Sequence, residues 1–452
     1  MHLGSKRILV IGAGKSGVSA IRLLQKHGAY LVLYDANDNI NISNFQDEFN
    51  TEEKFELVIG RFPKEIVTTL DLAVISPGVP MDNQVVKLLR SLNIPIMGEI
   101  ELAYRLSKGK VIAITGTNGK TTTTILTGEI LKSYFDEVFI VGNIGEPYTD
   151  VAGLTSEQSL IVAELSSFQL ETIDQFKADV SAILNISPDH LDRHKDMETY
   201  IKLKERVTKN QEKSDLCILN YDDPVLRSMA ERLGVDVIFF SSRRSLNNGL
   251  FLDGDEIILL KDKKRQLVCK IKDLQIIGRH NYENLMVAVA IGIYLGVPME
   301  YIRRIITSFK GVQHRIEYVA EVNGVTYYND SKGTNPQASI RAIQAMEVPT
   351  ILIAGGYDKG NDFDQWIKSF NGKVKSLVLI GEARFKIEAA ARKQGFTNVF
   401  IADTLKEAVD ISTEQGEIGD AVLLSPACAS WGMFANYEER GKLFKKYVNN
   451  LN

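Results

Sequence analysis

Short apolar runs, each about the length of a buried strand, alternate with stretches of helical periodicity along the chain, and they fall into three blocks. The first opens with RILVI, passes through a G-x-G-x-x-G turn at Gly12, Gly14 and Gly17, continues as an amphipathic helix and returns as YLVLYD, ending at Asp35. ELVIG and LAVISPG are two further strand-like runs. In NIPIMGEIELAYRL a proline and a glycine precede a new helical pattern near Glu99, which marks a boundary. The second block reads KVIAITG, LIVAELSS, VSAILNIS, LCILN and VIFF, with helical stretches between them, as a mostly parallel sheet requires, and it ends near Gly311. Its segment from Arg243 to Lys272 is polar and hairpin-like. The third block has PTILIAGG, SLVLIG, NVFIAD and AVLLSPA and closes on a charged helix, NYEERGKLFKKYV. The expected fold class is α/β in three domains, at residues 1–98, 99–311 and 312–452.

A chain of 452 residues that is 44% hydrophobic has room for about three domains of ~150 residues, each with its own core. With 53 basic and 57 acidic residues, a formal charge of -4 and no long run of one sign, it has no electrostatic grip on nucleic acid, so small-molecule substrates are favoured. Cys217, Cys269 and Cys428 are scattered, with no C-x-x-C, which fits a reducing compartment. The opening residues, MHLGSKRILVIGAGKSG, form neither a secretory signal nor a span of ~20 apolar residues. A cytoplasmic monomer without a membrane partner is expected.

Candidate chemistry begins at ITGTNGKTTTT, Ile114 to Thr124. Gly119, Lys120 and Thr121 supply the G-K-[ST] ending of a phosphate-binding loop, but Ile114 stands where the usual G-x-x-x-x-G-K-[ST] pattern begins, and the first glycine is Gly116. A strand that feeds Gly116, Thr117, Asn118, Gly119, Lys120, Thr121 and Thr122 into a helix turns successive backbone N–H groups toward an anion. Lys120 adds a mobile positive charge, and Thr121 can reach a magnesium ion. ATP or GTP binding is expected. GAGKSG and Asp35 of the first block, taken alone, favour NAD, so an NAD-dependent oxidoreductase is one rival for the whole chain and a bare P-loop ATPase switch is another.

GTNGKTTT, AELSSFQL, NISPDHLDRH, GRHNYENLMVA, HRIE, YNDSKGTNP and LLSPACAS, in that order and across all three blocks, resemble the signature segments of the Mur ligases. The resemblance implies a Rossmann-like first domain for a UDP-linked substrate, a central P-loop ATPase-like domain, and a Rossmann-like third domain for an amino acid. The implied reaction couples ATP hydrolysis to an amide bond between the carboxylate of UDP-N-acetylmuramoyl-L-alanine and D-glutamate, in peptidoglycan synthesis. A carboxylate is a poor acyl donor, so the γ-phosphoryl of ATP is first transferred to it, and the amine then attacks the acyl phosphate. Such an enzyme needs positioning and positive charge rather than a nucleophile of its own.

Site residues follow from the same resemblance. Glu164 matches a metal ligand, and a carboxylate suits Mg²⁺. His190 in SPDHLDR matches a second metal position and a substrate contact, although by itself it would be a helix-start histidine bonded to nearby backbone. Lys204 in TYIKLKERV, taken alone, is a solvated lysine beside Lys202 and Arg206. The resemblance makes it a carbamylated lysine, an anionic oxygen ligand for a second Mg²⁺. Arg315 and Lys332 would join Lys120 at the phosphates, and Asp330 would contact the ribose. Asn281 and Asn284 can cap a helix or meet a purine edge, and the position of Asn284 is the family's adenine contact. In the first domain Gly14, Ser16 and Gly17 would hold the diphosphate and Asp35 would face the uracil. Asn143 would approach the sugar end, with Ser166 beside the substrate. Thr334, Lys359, Ser430 and Tyr437 match a D-glutamate pocket, Tyr437 standing where the family pattern has Phe. The ending SPACASWGMFANYEERG is similar to that of the D-glutamate-adding members, with lysine- or diaminopimelate-adding members as the alternative.

Overall fold

The apolar runs of the first block become a parallel sheet. In the computed structural model, which describes residues 2–40 and 54–451, β1 (Arg7–Ile11), β2 (Tyr30–Asp35), β3 (Phe55–Ile59), β4 (Leu72–Ile75) and β5 (Ile96–Gly98) pair in the order β3-β2-β1-β4-β5. Every pair is parallel. The strand order reverses between β1 and β4, and the loops that leave their C-terminal ends part there to open a crevice.

Helix Glu99–Leu106 follows β5 directly, with Glu99 and Glu101 in its first turn, where the helix dipole favours negative charge. The second sheet contains β6 (Lys110–Thr115), β7 (Val138–Gly142), β8 (Leu160–Glu164), β9 (Val180–Ile183), β10 (Leu216–Asn220), β11 (Asp236–Ser241) and β12 (Gly249–Asp253). Its order is β12-β11-β10-β9-β6-β8-β7, parallel throughout. Strand β7 is not among the expected runs; it is the edge strand, and three of its five residues are only partly buried. The Arg243–Lys272 segment yields β12, then β13 (Glu256–Lys261) and β14 (Lys264–Lys270), which bring the sheet to nine strands. One apolar cluster runs from Ile8 and Leu33 through Ile100 and Ala103 to Ala113 and Val141, so the step at Glu99 is a change of sheet and not a gap in the core.

Both sheets through β12 belong to one unit, made of the chain up to Asp253 with Ile258–Gln266 and Asn284–Ile302; a second unit comprises Gly254–Ile257, Leu267–Glu283 and the chain from Arg303 onward. In the second unit β15 (Glu317–Val322), β16 (Val325–Asn329), β17 (Thr350–Gly355), β18 (Val374–Ile380), β19 (Val399–Ile401) and β20 (Ala421–Leu424) pair in the order β15-β16-β20-β17-β18-β19. Only the β15–β16 pair is antiparallel. Its turn is Asn323-Gly324, both left-handed with φ of 52° and 79°, as a two-residue hairpin demands. The ends of β16, β20 and β17 lie side by side, so the loops after them carry the third-block candidates together. Among the described residues no helix is long and apolar enough to cross a membrane.

Candidate active site

The phosphate loop explains its own departure from the usual pattern. Ile114 is fully buried in β6, between Glu164 of β8 and Ala182 of β9, so no glycine is called for there. The first position that needs one is Gly116, with φ of 141°, where a Cβ would lie 3.0 Å from that of Leu184. Gly119, with φ of 87°, would drive a Cβ into Asn284 Oδ1. Lys120 starts helix Lys120–Lys132, and its ammonium donates to Gly116 O and Thr117 O, both at 2.9 Å. The loop is braced from behind. Thr117 Oγ1 donates to Ser187 O (3.1 Å), and Asn118 N donates to Asn185 Oδ1 (2.8 Å). Thr123 Oγ1 donates to Asn284 Oδ1 (3.2 Å), which places Asn284 against the same helix.

Beside the loop sit a buried carboxylate and a buried lysine. Glu164 is 1% exposed; Oε1 accepts from Asn143 Nδ2 (2.8 Å), whereas Oε2 is buried with no hydrogen-bond partner. Lys204 is 2% exposed, contrary to the solvated lysine its basic helix suggests, because it shares the inner face of Met197–Glu205 with Tyr200. Its ammonium donates to Thr115 Oγ1 (3.1 Å) and to Gly116 O (2.9 Å), the same carbonyl that Lys120 uses. Burial, and then the charge of Lys120, push it down to about 7. His190 is the left-handed N-cap (φ 52°) of Leu191–His194; its side chain is half exposed, with the ring 4.9 Å from that of Phe168. Among the described residues no three His, Cys, Asp or Glu side chains gather into a metal cluster. The orphaned oxygen of Glu164 nonetheless fits a hard cation, for which Thr121, His190 and a modified Lys204 would complete an oxygen-rich set.

The crevice at the β1/β4 reversal is a cavity of 620 Å³, and Gly14, Ser16, Asp35 and Asn143 are in its wall. Helix Lys15–Lys26 begins there, so its unpaired N–H groups face the cavity. Asp35 also shapes the turn, accepting from Ala13 N (2.8 Å) and Asn37 N (2.9 Å). Gly17 is not among the residues of the cavity wall; it is buried under the turn in the first turn of the helix, where a Cβ would collide with Gly12 O, so close packing calls for a glycine there. Ser166 is likewise absent from the wall: it caps Ser167–Leu170, bonding Gln169, and it is Gln169 that reaches the cavity.

In the second unit Asp330 follows β16, 5% exposed, and accepts from Ser425 Oγ (2.7 Å). Burial pushes its carboxyl up to about 7. Arg315 lies between two left-handed residues, His314 and Ile316 (φ 63° and 45°). Lys332 Nζ is 5.5 Å from the Tyr437 ring centroid, and Thr334 N donates to Lys332 O (2.9 Å). Lys359, in the loop after β17, lies 4.6 Å from the ring of Trp431, the residue after buried Ser430. A bridge from Tyr357 to Ala429 ties these two loops. Asn281 Nδ2 donates to Ile277 O (2.8 Å), the carbonyl four residues back.

Residues 6–98 match the Mur ligase MurD-like N-terminal domain, 114–292 the Mur ligase middle domain, and 314–428 the Mur ligase glutamate ligase domain. The UDP-N-acetylmuramoylalanine--D-glutamate ligase of Lachnoclostridium phytofermentans is 56% identical over 451 residues, covering 100% of this chain and 99% of its own. The chain belongs to the Mur ligase family. Proteins of that same name from Lachnospira eligens and Clostridioides difficile are 50% and 45% identical, each matched over 100% of both chains. Two solved Mur ligases from Thermotoga maritima share its fold: UDP-N-acetylmuramate-alanine ligase MurC (TM-score 0.58, 16% identity, covering 99% of this chain and 100% of that one) and MurF in complex with ADP (TM-score 0.58, 17%, covering 100% and 96%).

Mur ligases are ATP-dependent, so the dehydrogenase reading of GAGKSG falls away. Within the first unit, Lys120, Thr121, Glu164, Lys204 and Asn284 come together around one loop, and Asn143 connects them to the cavity. Sequence reasoning missed Gln169, although AELSSFQL contains it, and the Ser76–Pro80 loop in the cavity wall, which SPG after an apolar run marks. In the second unit it missed Arg440, fully buried, which donates to Ser331 Oγ (2.9 Å), Ser331 O (2.8 Å) and Cys428 O (3.4 Å) and so fixes two of the loops. Its spacing from Phe444 and Val448, on the buried face of Tyr437–Asn449, was the available signal.

Proposed function

We propose that this Mur ligase joins D-glutamate to UDP-N-acetylmuramoyl-L-alanine in the cytoplasm, with ATP activating the alanyl carboxylate as an acyl phosphate. Asn143 carries the reading: it lines the first cavity and holds Glu164 next to the phosphate loop, so a UDP-linked carboxylate and a γ-phosphoryl can meet at one end of the central sheet. Full-length identity to three D-glutamate ligases supports the acceptor. In the first step a carboxylate oxygen bonds the γ-phosphorus and ADP leaves; in the second the amine bonds the acyl carbon, loses a proton, and phosphate leaves.

The residues divide that work. Gly14, Ser16 and Asp35 hold the UDP moiety, with Asn143, Ser166 and His190 toward its carboxylate end. The loop from Gly116 to Thr122 cradles the ATP phosphates, Lys120, Arg315 and Lys332 offset the charge spread over the transferring oxygens, Asn281 and Asn284 take the adenine side, and Asp330 takes the ribose. Magnesium, when bound, supplies positive charge to those oxygens, one ion held by Thr121, Glu164 and His190 and a second facing Lys204 as its carbamate. For the carbamate, the Lys204 lone pair bonds the carbon of CO₂ and an N–H proton leaves to solvent; a pKa of about 7 keeps much of the amine neutral at neutral pH. Thr334, Lys359, Ser430 and Tyr437 pin the two glutamate carboxylates, which fixes the direction of the amine and therefore the enantiomer. The test is phosphate release from ATP with UDP-N-acetylmuramoyl-L-alanine, alone and with D-glutamate, L-glutamate or L-lysine, with product analysis. Release and product with D-glutamate alone are expected; incorporation of L-lysine would overturn the acceptor.

A further inference from the structure

Arg193 has no part in the chemistry above, yet it braces a loop of the nucleotide cavity from behind. It lies in Leu191–His194, a four-residue helix bounded by left-handed His190 and Lys195 (φ 52° and 72°), which turns its side chain inward. Nη1 donates to Pro77 O (3.0 Å), and Nη2 donates to Val79 O (3.2 Å) and to Glu171 Oε2 (2.7 Å). Its guanidinium carbon stands 4.2 Å from the centroid of Phe168, the ring that also packs against His190. Pro77 and Val79 belong to the loop after β4, which forms the cavity wall opposite the glycine turn. That loop touches the turn through Ser76, whose hydroxyl donates to Gly12 O (3.2 Å).

We propose that Arg193 is the positioning residue for the UDP-linked substrate: it sets the Ser76–Pro80 wall and registers it against the helix that carries His190. The inference rests on the proposed function, since it takes the cavity as the UDP site. The acceptors on the loop are backbone carbonyls, so the guanidinium reads the path of the loop and not its side chains. A planar fork can satisfy two carbonyls and a carboxylate at once, whereas a lysine ammonium, a single point on a flexible stem, cannot span them in that plane. Glu171 keeps the fork in place, its other oxygen facing buried His194 at 3.6 Å. Freed of the fork, the wall can shift, and displacements of ~1 Å carry rate losses of up to about a hundredfold.

The experiment compares wild type, Arg193→Lys, Arg193→Ala and Glu171→Gln in steady-state phosphate release, varying the UDP-linked substrate at saturating ATP and then the reverse, with thermal unfolding of each protein alongside. Arg193→Lys is expected to raise the KM for the UDP-linked substrate about tenfold or more and to leave the KM for ATP within about twofold. Millimolar guanidinium is expected to lower the raised KM of Arg193→Ala, a rescue that a mere loss of packing would not show. If the Arg193 variants do not fold, Glu171→Gln, which keeps both carbonyl contacts, is expected to raise the same KM about threefold. An unchanged KM for the UDP-linked substrate, or an equal rise for ATP, overturns the inference. Wild-type turnover that does not saturate in the UDP-linked substrate overturns the functional reading itself.

Discussion

Two ammonium groups donating to one carbonyl oxygen make Gly116 the focus of the site. Replacing Lys120 by alanine removes the charge proposed to face the transferring phosphoryl and opens no core cavity. Turnover is expected to fall at least about a thousandfold while thermal unfolding is little changed, as phosphate release and calorimetry will show. Lys204→Ala is expected to be nearly inactive, with short carboxylic acids restoring part of the rate. In the wild type, reactivation at a fixed CO₂ pressure after CO₂ removal should speed up as pH rises toward about 7 and level off above it, because the reacting amine is the deprotonated form. At this scale the sequence was legible where chemistry needs a motif, as at Gly116–Thr121, and illegible where burial decides. For Lys204 the traces of an inward direction were the resemblance, which made it a metal ligand, and Tyr200 four residues earlier on the same helix face; charge alone pointed the other way.

Among elements, helix Glu99–Leu106 shows how two carboxylates in one turn come to different ends. Glu101 is fully buried and accepts from the N–H groups of Asp174 (2.7 Å), Gln175 (2.9 Å) and Phe176 (3.0 Å) and from Arg105 Nε (2.6 Å). Its replacement by Gln turns a donor toward that nest, at a cost of about 3 kcal/mol, measurable by urea unfolding. Glu99 accepts weaker bonds, from Thr149 N at 3.2 Å and Thr149 Oγ1 at 3.4 Å, and burial pushes it from 4.5 to about 7. The folded protein therefore holds a proton on Glu99 that the unfolded chain releases. This stabilisation is complete below about 4.5 and is lost as pH rises through 7, with a slope of at most about 1.4 kcal/mol per pH unit. Glu99→Gln is expected to flatten that slope in unfolding compared at pH 5 and 8. Strand existence was largely written in the apolar runs, since parallel strands covered on both faces must be apolar. What escaped was half-buried or short: β7 at its edge, and the β15–β16 hairpin, although the Asn323-Gly324 signal stood between two alternating segments.

For the whole molecule, each unit carries a buried carboxyl with its titration moved to about 7, Glu99 in the first and Asp330 in the second, so both should lose stability as pH rises toward neutrality. The units need not unfold together, and a single midpoint is meaningful only if separate probes agree.

The chain supplies such a probe. Its two tryptophans, Trp366 and Trp431, are both in the second unit, the first fully buried and the second 54% exposed beneath the Lys359 ammonium. Tryptophan emission is therefore blind to the first unit and sees the second in two colours, a blue-shifted core emission and a red-shifted one from beside the proposed acceptor pocket. Saturating D-glutamate should change the intensity of the red component in Trp366→Phe and leave Trp431→Phe silent. Far-ultraviolet circular dichroism should then reveal any unfolding of the first unit that tryptophan emission passes over.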